Sequence, residues 1–203
     1  MVVVAIPWFE DWELVEGALA TVPSTWRSVP LEGSWALFHD RPADQAQADY
    51  PTEAAKRTAL ARLAWVAYSH AGIRWLLMLD SDERLEVPDP PTLNRWLRGV
   101  SDGVRWLNVN IYRPDHPHAP QGFYLPRLIE MAPDLEWRPP RDWEVYRGGE
   151  RIAPLDGEPG FDGALRVPST FLRIRHDRAL RSVERSDRNA RYQQRRRALH
   201  GTA

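Results

Sequence analysis

Apolar residues in this chain fall into short unbroken runs, with polar residues gathered between them. The clearest runs are Val2-Val-Val-Ala-Ile6 and Trp75-Leu-Leu-Met-Leu79. A continuous apolar run of this length reads as a strand covered on both faces, as in a parallel sheet. Between the two runs the period changes. Trp12, Val15, Leu19 and Val22 recur at helical spacing, Glu10 and Asp11 stand where the helix dipole favours acids, and Pro23 is a stop. Trp26 to Leu31 predicts a second strand ending at Glu32-Gly33, and Ser34 to Tyr50 predicts mostly loop. Pro51-Thr52-Glu53 opens a long helix, with Thr52 as its cap and Ala59, Leu60, Leu63, Ala64 and Ala67 as the buried stripe. Gly72 is placed just past its end. The order β-α-β-loop-α-β predicts a doubly wound, nucleotide-binding half with right-handed crossovers.

Beyond Glu86 the pattern is looser. Val87 to Pro91 reads as a rigid turn and Thr92 to Arg98 as a short helix. Val104 to Tyr112, Phe123 to Glu130 and Phe171 to Ile174 are rich in strand formers. Asp134 to Asp142 reads as irregular, and Gly148 to Gly163 as a long surface loop. From Ser182 the chain reads as a helix ending in a basic tail. No internal repeat and no second core is visible. The expectation is an α/β protein with one domain over 1–203, a central and mostly parallel mixed sheet, and flanking helices. Its parts are 1–86, 87–176 and a basic segment 177–203.

Composition changes this picture only a little. At 203 residues and 43% hydrophobic content, one full core is affordable. A net charge of −1 gives the whole molecule no pull toward nucleic acid or anionic lipid. The absence of cysteine excludes disulfides, thiolate metal sites and cysteine nucleophiles, and it fits a reducing compartment. The amino-terminal run has no basic leader, and no run is long enough to cross a bilayer. A cytoplasmic location is therefore expected, with no transmembrane segment. Lys56 is the only lysine in a chain that otherwise uses arginine.

The candidate chemistry sits where the second apolar run meets Asp80-Ser81-Asp82-Glu83. Ligands of open α/β sheets bind at the carboxyl ends of the strands. Two acids one residue apart at such an end form a DXD motif. They can divide the work, one taking a divalent cation directly and the other a water or a sugar hydroxyl. A solvated acidic turn is the plain alternative.

Several stretches resemble the family 2 nucleotide-sugar glycosyltransferases of the A-type (GT-A) fold, especially compact bacterial and phage members. They are Val-Val-Val-Ala-Ile-Pro, Leu-Glu-Gly, Glu-Ala-Ala-Lys-Arg-Thr, Leu-Met-Leu-Asp-Ser-Asp-Glu, and Ile-Arg-His-Asp-Arg-Ala-Leu-Arg-Ser-Val-Glu-Arg, in the family's order. The resemblance implies transfer of a sugar from a UDP- or GDP-sugar donor to a hydroxyl acceptor, assisted by Mn²⁺ or Mg²⁺. It implies metal ligation by Asp82 and His176. It implies donor contacts from Pro7, Glu32, Lys56, Arg57, Asp80, Ser81, Arg178 and Arg181. Glu32 stands where the family usually has a base-reading aspartate, which leaves the base open. Lys56 and Arg57 are expected to meet phosphate or uracil, and Arg178 and Arg181 to grip the diphosphate in the bidentate manner of guanidinium groups. A general base is expected among Asp134, Glu136, Asp142 and Glu144, with Asp142 preferred. The family's usual acidic pair near that position is replaced here by Arg-Asp-Trp, which leaves the stereochemical outcome open.

Arg166 to Arg197 holds eleven arginines against three acids. This excess fits a polyanionic acceptor such as nucleic acid or an anionic membrane, and equally a solvated helix face. Two rival readings follow. One is a non-catalytic nucleotide or nucleic-acid binder that uses the basic tail. The other is a metal-dependent phosphohydrolase with an aspartyl nucleophile. The mid-chain position of the acids, and Arg84 two residues past the second of them, speak against the phosphohydrolase.

Overall fold

The computed structural model describes residues 1–36, 42–115, 121–138, 144–153 and 164–176, with single positions 187, 190, 191, 194 and 198 beyond them. Its centre is a mixed seven-stranded sheet. In chain order the elements are β1 (Val2–Trp8), α1 (Trp12–Leu19), β2 (Arg27–Glu32), α2 (Pro42–Ala46), α3 (Glu53–Tyr68), β3 (Trp75–Met78), β4 (Glu83–Glu86), α4 (Pro90–Gly99), β5 (Trp106–Tyr112), β6 (Phe123–Glu130), β7 (Leu135–Arg138), β8 (Glu144–Arg147), β9 (Glu150–Arg151) and β10 (Arg173–His176). The strand order is β2-β1-β3-β6-β5-β10-β4, and β7-β8-β9 form a small separate sheet. β2, β1 and β3 run parallel, β6 runs against both β3 and β5, β10 runs with β5, and β4 runs against β10. Strands from 1–86 and from 87–176 therefore interleave in one sheet.

The apolar runs explain its middle. Val2, Val4 and Ile6 enter one core with Val15 and Ala18 of α1 and Leu93 and Leu97 of α4. Val3 and Ala5 enter a second core with Leu60, Ala61 and Ala64 of α3 and with Trp137 and Val145 of the small sheet. A strand covered on both faces needs no polar alternation, which is why these runs are unbroken. α1 and α3 lie on opposite faces of the sheet, because the crossovers β1 to β2 and β2 to β3 run in opposite directions across it. The carboxyl edge of β1 and β3 is then a topological switch point.

Local signals hold at several points. Thr52 accepts a hydrogen bond from the Ala55 N–H at 3.0 Å, and Gly72 adopts left-handed φ of 65° past the helix end. Others do not hold. β1 runs through Pro7 to Trp8, because Pro7 pairs in register with Leu31 and its missing N–H is tolerated there. Leu60 and Ala64 of the expected stripe are buried in α3, but so are Ala54, Lys56, Arg57, Thr58 and Ala61, whereas Leu63 is 42% exposed. The face turns because polar side chains of its first turns are drawn inward. β4 was not foreseen, and β7 falls in the stretch read as irregular. Glu-Arg-Leu-Glu has one apolar residue among three charges, and Leu-Glu-Trp-Arg alternates over only four residues beside prolines. Among the described residues no helix is long and apolar enough to cross a membrane.

Candidate functional site

The carboxyl ends of β1, β2, β3 and β10 converge with the start of β4. The centre of this edge is the four-residue turn Asp80–Glu83. The turn closes on itself twice: the Glu83 N–H donates to the Asp80 carbonyl at 2.9 Å, and the Asp80 N–H donates to Glu83 Oε2 at 2.9 Å. This tight reversal carries the chain from β3 straight into β4. Because β4 pairs with β10, Glu83 lies opposite His176 in the register.

Asp82 and His176, 94 residues apart, meet here with Nε2 and Oδ2 3.0 Å apart. Asp82 is only 2% exposed. Burial alone would lower the His176 pKa. The hydrogen bond to Asp82, and the charges of Asp82, Glu83 and Asp80, outweigh it and hold the imidazole above its ordinary value. Carboxylate oxygen and imidazole nitrogen are both donors that Mn²⁺ accepts. Among the described residues no group of three His, Asp or Glu side chains is close enough to hold a metal by itself. Two side-chain donors would leave the other positions of a cation to substrate phosphate and water, and the imidazole among them suits Mn²⁺ better than Mg²⁺.

Asp80 faces a different set of partners. Arg57 Nη2 donates to its Oδ1 at 2.8 Å, and Arg127 Nη2 lies 3.7 Å from its Oδ2. Burial pushes its carboxyl up, but the two guanidinium groups hold it well below the usual carboxylate range. Arg127 also donates to Glu83 Oε1 at 2.7 Å and to the Met78 carbonyl at 3.3 Å. Glu83 is 1% exposed, and burial raises its carboxyl to about 7 against the pull of Arg127. Sequence reasoning missed Arg127. The signal was available: one charged residue inside the otherwise apolar stretch Leu-Pro-Arg-Leu-Ile of β6.

Lys56 requires a correction. Its side chain is fully buried rather than turned to the open edge. The ammonium donates to the Trp8 carbonyl at 2.5 Å and to the Gly33 carbonyl, and lies 5.3 Å from the centre of the Trp35 ring. It ties the ends of β1 and β2 to α3. Burial lowers its pKa from 10.5 to about 8. Arg57, next in sequence, is likewise buried and is engaged by Glu53 and Asp80 at 2.8 Å each. Its role at the edge is to hold Asp80. Thr58 completes the set: its Oγ1 accepts the Trp137 N–H at 2.8 Å, fixing β7 to α3.

Of the remaining expected residues, Pro7 is half-buried within β1, Glu32 is exposed at the end of β2, and Ser81 is buried in the turn. Arg178, Arg181 and Asp142 lie outside the described residues, as do Trp143 and Arg195 to Arg197. Of the other base candidates, Asp134 and Glu136 are exposed or half-buried next to β7, and Glu144 is engaged by Tyr146 at 3.0 Å. Comparison with protein-family models finds no match to this chain, and comparison with curated proteins finds no matching relative.

Proposed function

We propose that this protein is a metal-dependent glycosyltransferase that moves a sugar from a nucleotide-diphosphate donor to a hydroxyl acceptor. The observation that carries the reading is the meeting of Asp82 and His176 at 3.0 Å on the carboxyl edge of the sheet. The β4–β10 register brings an acid of the DXD motif beside a late histidine, and their donor atoms suit one cation. Further support comes from parallel β2-β1-β3 followed by antiparallel β6, an order compatible with the A-type nucleotide-sugar fold.

In this reading Asp82 and His176 hold Mn²⁺ or Mg²⁺, with imidazole favouring Mn²⁺. The bound cation supplies Lewis-acid neutralisation of the charge that develops on the departing diphosphate. Asp80 stays ionised under Arg57 and Arg127 and accepts a ribose hydroxyl. Glu32, exposed at the lip, is the acid nearest in role to a base reader. Arg178 and Arg181 grip the diphosphate, and Asp142 removes the acceptor proton. Asp142→Asn is then expected to keep donor binding and lose transfer.

A thermal-shift panel tests the reading. Stabilisation by UDP- or GDP-sugars only with Mn²⁺ present is the expected result. Stabilisation by oligonucleotide without metal would favour a nucleic-acid binder working through the arginine-rich segment, and would overturn it.

A further inference from the structure

Asp82 reaches His176 only because the turn that bears it is tight, and the braces on that turn come partly from outside it. Arg84 is buried on β4. Its Nη1 donates to the carbonyls of Ser81 and Glu83, both at 2.8 Å. These are the carbonyls on either side of Asp82. The other end of the guanidinium lies on α1. A Cβ placed on Gly17 would collide with Arg84 Nη2 and come within 2.9 Å of its Cζ. One turn further along, the Leu85 N–H donates to Thr21 Oγ1 at 2.9 Å, and that hydroxyl donates to the Ala18 carbonyl at 2.7 Å. The carboxyl end of α1 and the turn just after it are therefore docked on the start of β4 at two adjacent points. Gly17 is helical, so its lack of a side chain is not needed for backbone freedom. What it provides is room for the guanidinium.

We propose that Arg84, seated against Gly17, is a positioning residue that fixes the Asp80–Glu83 turn so that Asp82 faces His176. The metal-binding consequence rests on the function proposed above; the geometric one does not. The arrangement acts through N–H donation to main-chain carbonyls, so an apolar side chain of similar length cannot replace it. Lysine can restore part of it, with fewer and less fixed donors.

Gly17→Ala is the sharper test. Alanine favours a helix more than glycine does, so α1 keeps its stability while the flexible end of Arg84 is displaced. Arg84→Met removes the brace directly, and Arg84→Lys is the partial rescue. Two quantities are measured: the Asp82–His176 separation in crystal structures of the variants, and Mn²⁺ affinity by calorimetry. In Gly17→Ala and Arg84→Met the side chains are expected to part, and Mn²⁺ affinity to fall by about 10- to 100-fold, the range for supports of metal ligands. The melting temperature of Gly17→Ala is expected to fall less than that of Arg84→Met, because alanine favours the helix and the guanidinium is shifted rather than removed. Retention of the 3.0 Å contact in both variants would overturn the proposal. Wild-type protein that binds no Mn²⁺ would remove the metal reading, and the separation would then decide the role of Arg84 by itself.

Discussion

Two corners of the same sheet edge bury ionisable groups, and they do so in opposite ways. At the β1–β2 corner, Lys56 is enclosed and its donors are spent on main-chain carbonyls of Trp8 and Gly33. At the β3–β10 corner, an acid and an imidazole face each other, and both carry atoms that cations take as ligands. A buried ammonium satisfied by the backbone is architecture. It has no lone pair to offer while charged, and no free surface. A buried carboxylate next to a histidine can exchange a proton for a metal ion. Burial and charge alone therefore do not mark a site; the chemistry of the partners does. Arg57 stands between the corners. It shares α3 with Lys56, but it serves the acids.

The contrast can be broken or sharpened by experiment. The largest effect is expected from Asp82→Asn, which should abolish metal-dependent nucleotide binding in calorimetry while leaving the fold intact. Undiminished binding would move both corners into the architectural class. Arg57→Met should come next. It leaves Asp80 and Glu53 without their shared cation, and breaking a buried pair from one side costs about 3–5 kcal/mol. Denaturant unfolding would show the loss; a change below about 1 kcal/mol would mean that Arg127 alone suffices for Asp80.

Lys56 gives a pH signature of its own. Its folded pKa is lowered from 10.5 to about 8, so between those values the unfolded chain holds more protons than the folded one. Stability should therefore rise as pH climbs through that window, by roughly 3 kcal/mol at most, and level off above it. The neutral amine still has two hydrogens for the two carbonyls, so the clamp survives deprotonation. Equilibrium unfolding at pH 7.5 and pH 10, compared with Lys56→Met, isolates the contribution; an identical profile in the variant would show that other groups cause it. The smallest effect is expected from Thr58→Val. It leaves the Trp137 N–H unpaired, which costs about 1–3 kcal/mol, and a melting curve would record it. An unchanged melting temperature would show that β7 does not depend on this link.

Much of the scaffold was legible because its signals are local. β1 and β3 are unbroken apolar runs, β6 is rich in strand formers, Thr52 caps α3, and Gly72 ends it. The acidic turn at the end of β3 was legible for the same reason. β4 was not, because its four residues have one apolar side chain among three charges. The small sheet was not, because it is held by Thr58 and by the core under α3 rather than by its own pattern. The place of Lys56 on α3 was legible, but its depth was not, because burial depends on how the ends of β1 and β2 close over it.

The order of the residues settled that β1, β3 and β6 become strands and α3 a helix, and that the acids stand just past β3. Only the folded chain decided that Asp82 and His176 share a corner, that Arg127 and Arg57 guard Asp80, and that Lys56 is sealed. Element type follows from near neighbours in the chain, whose spacing fixes which face turns inward. Pairings across 23, 44 and 94 residues depend on strand order and register, and those are set by the packing of both cores at once.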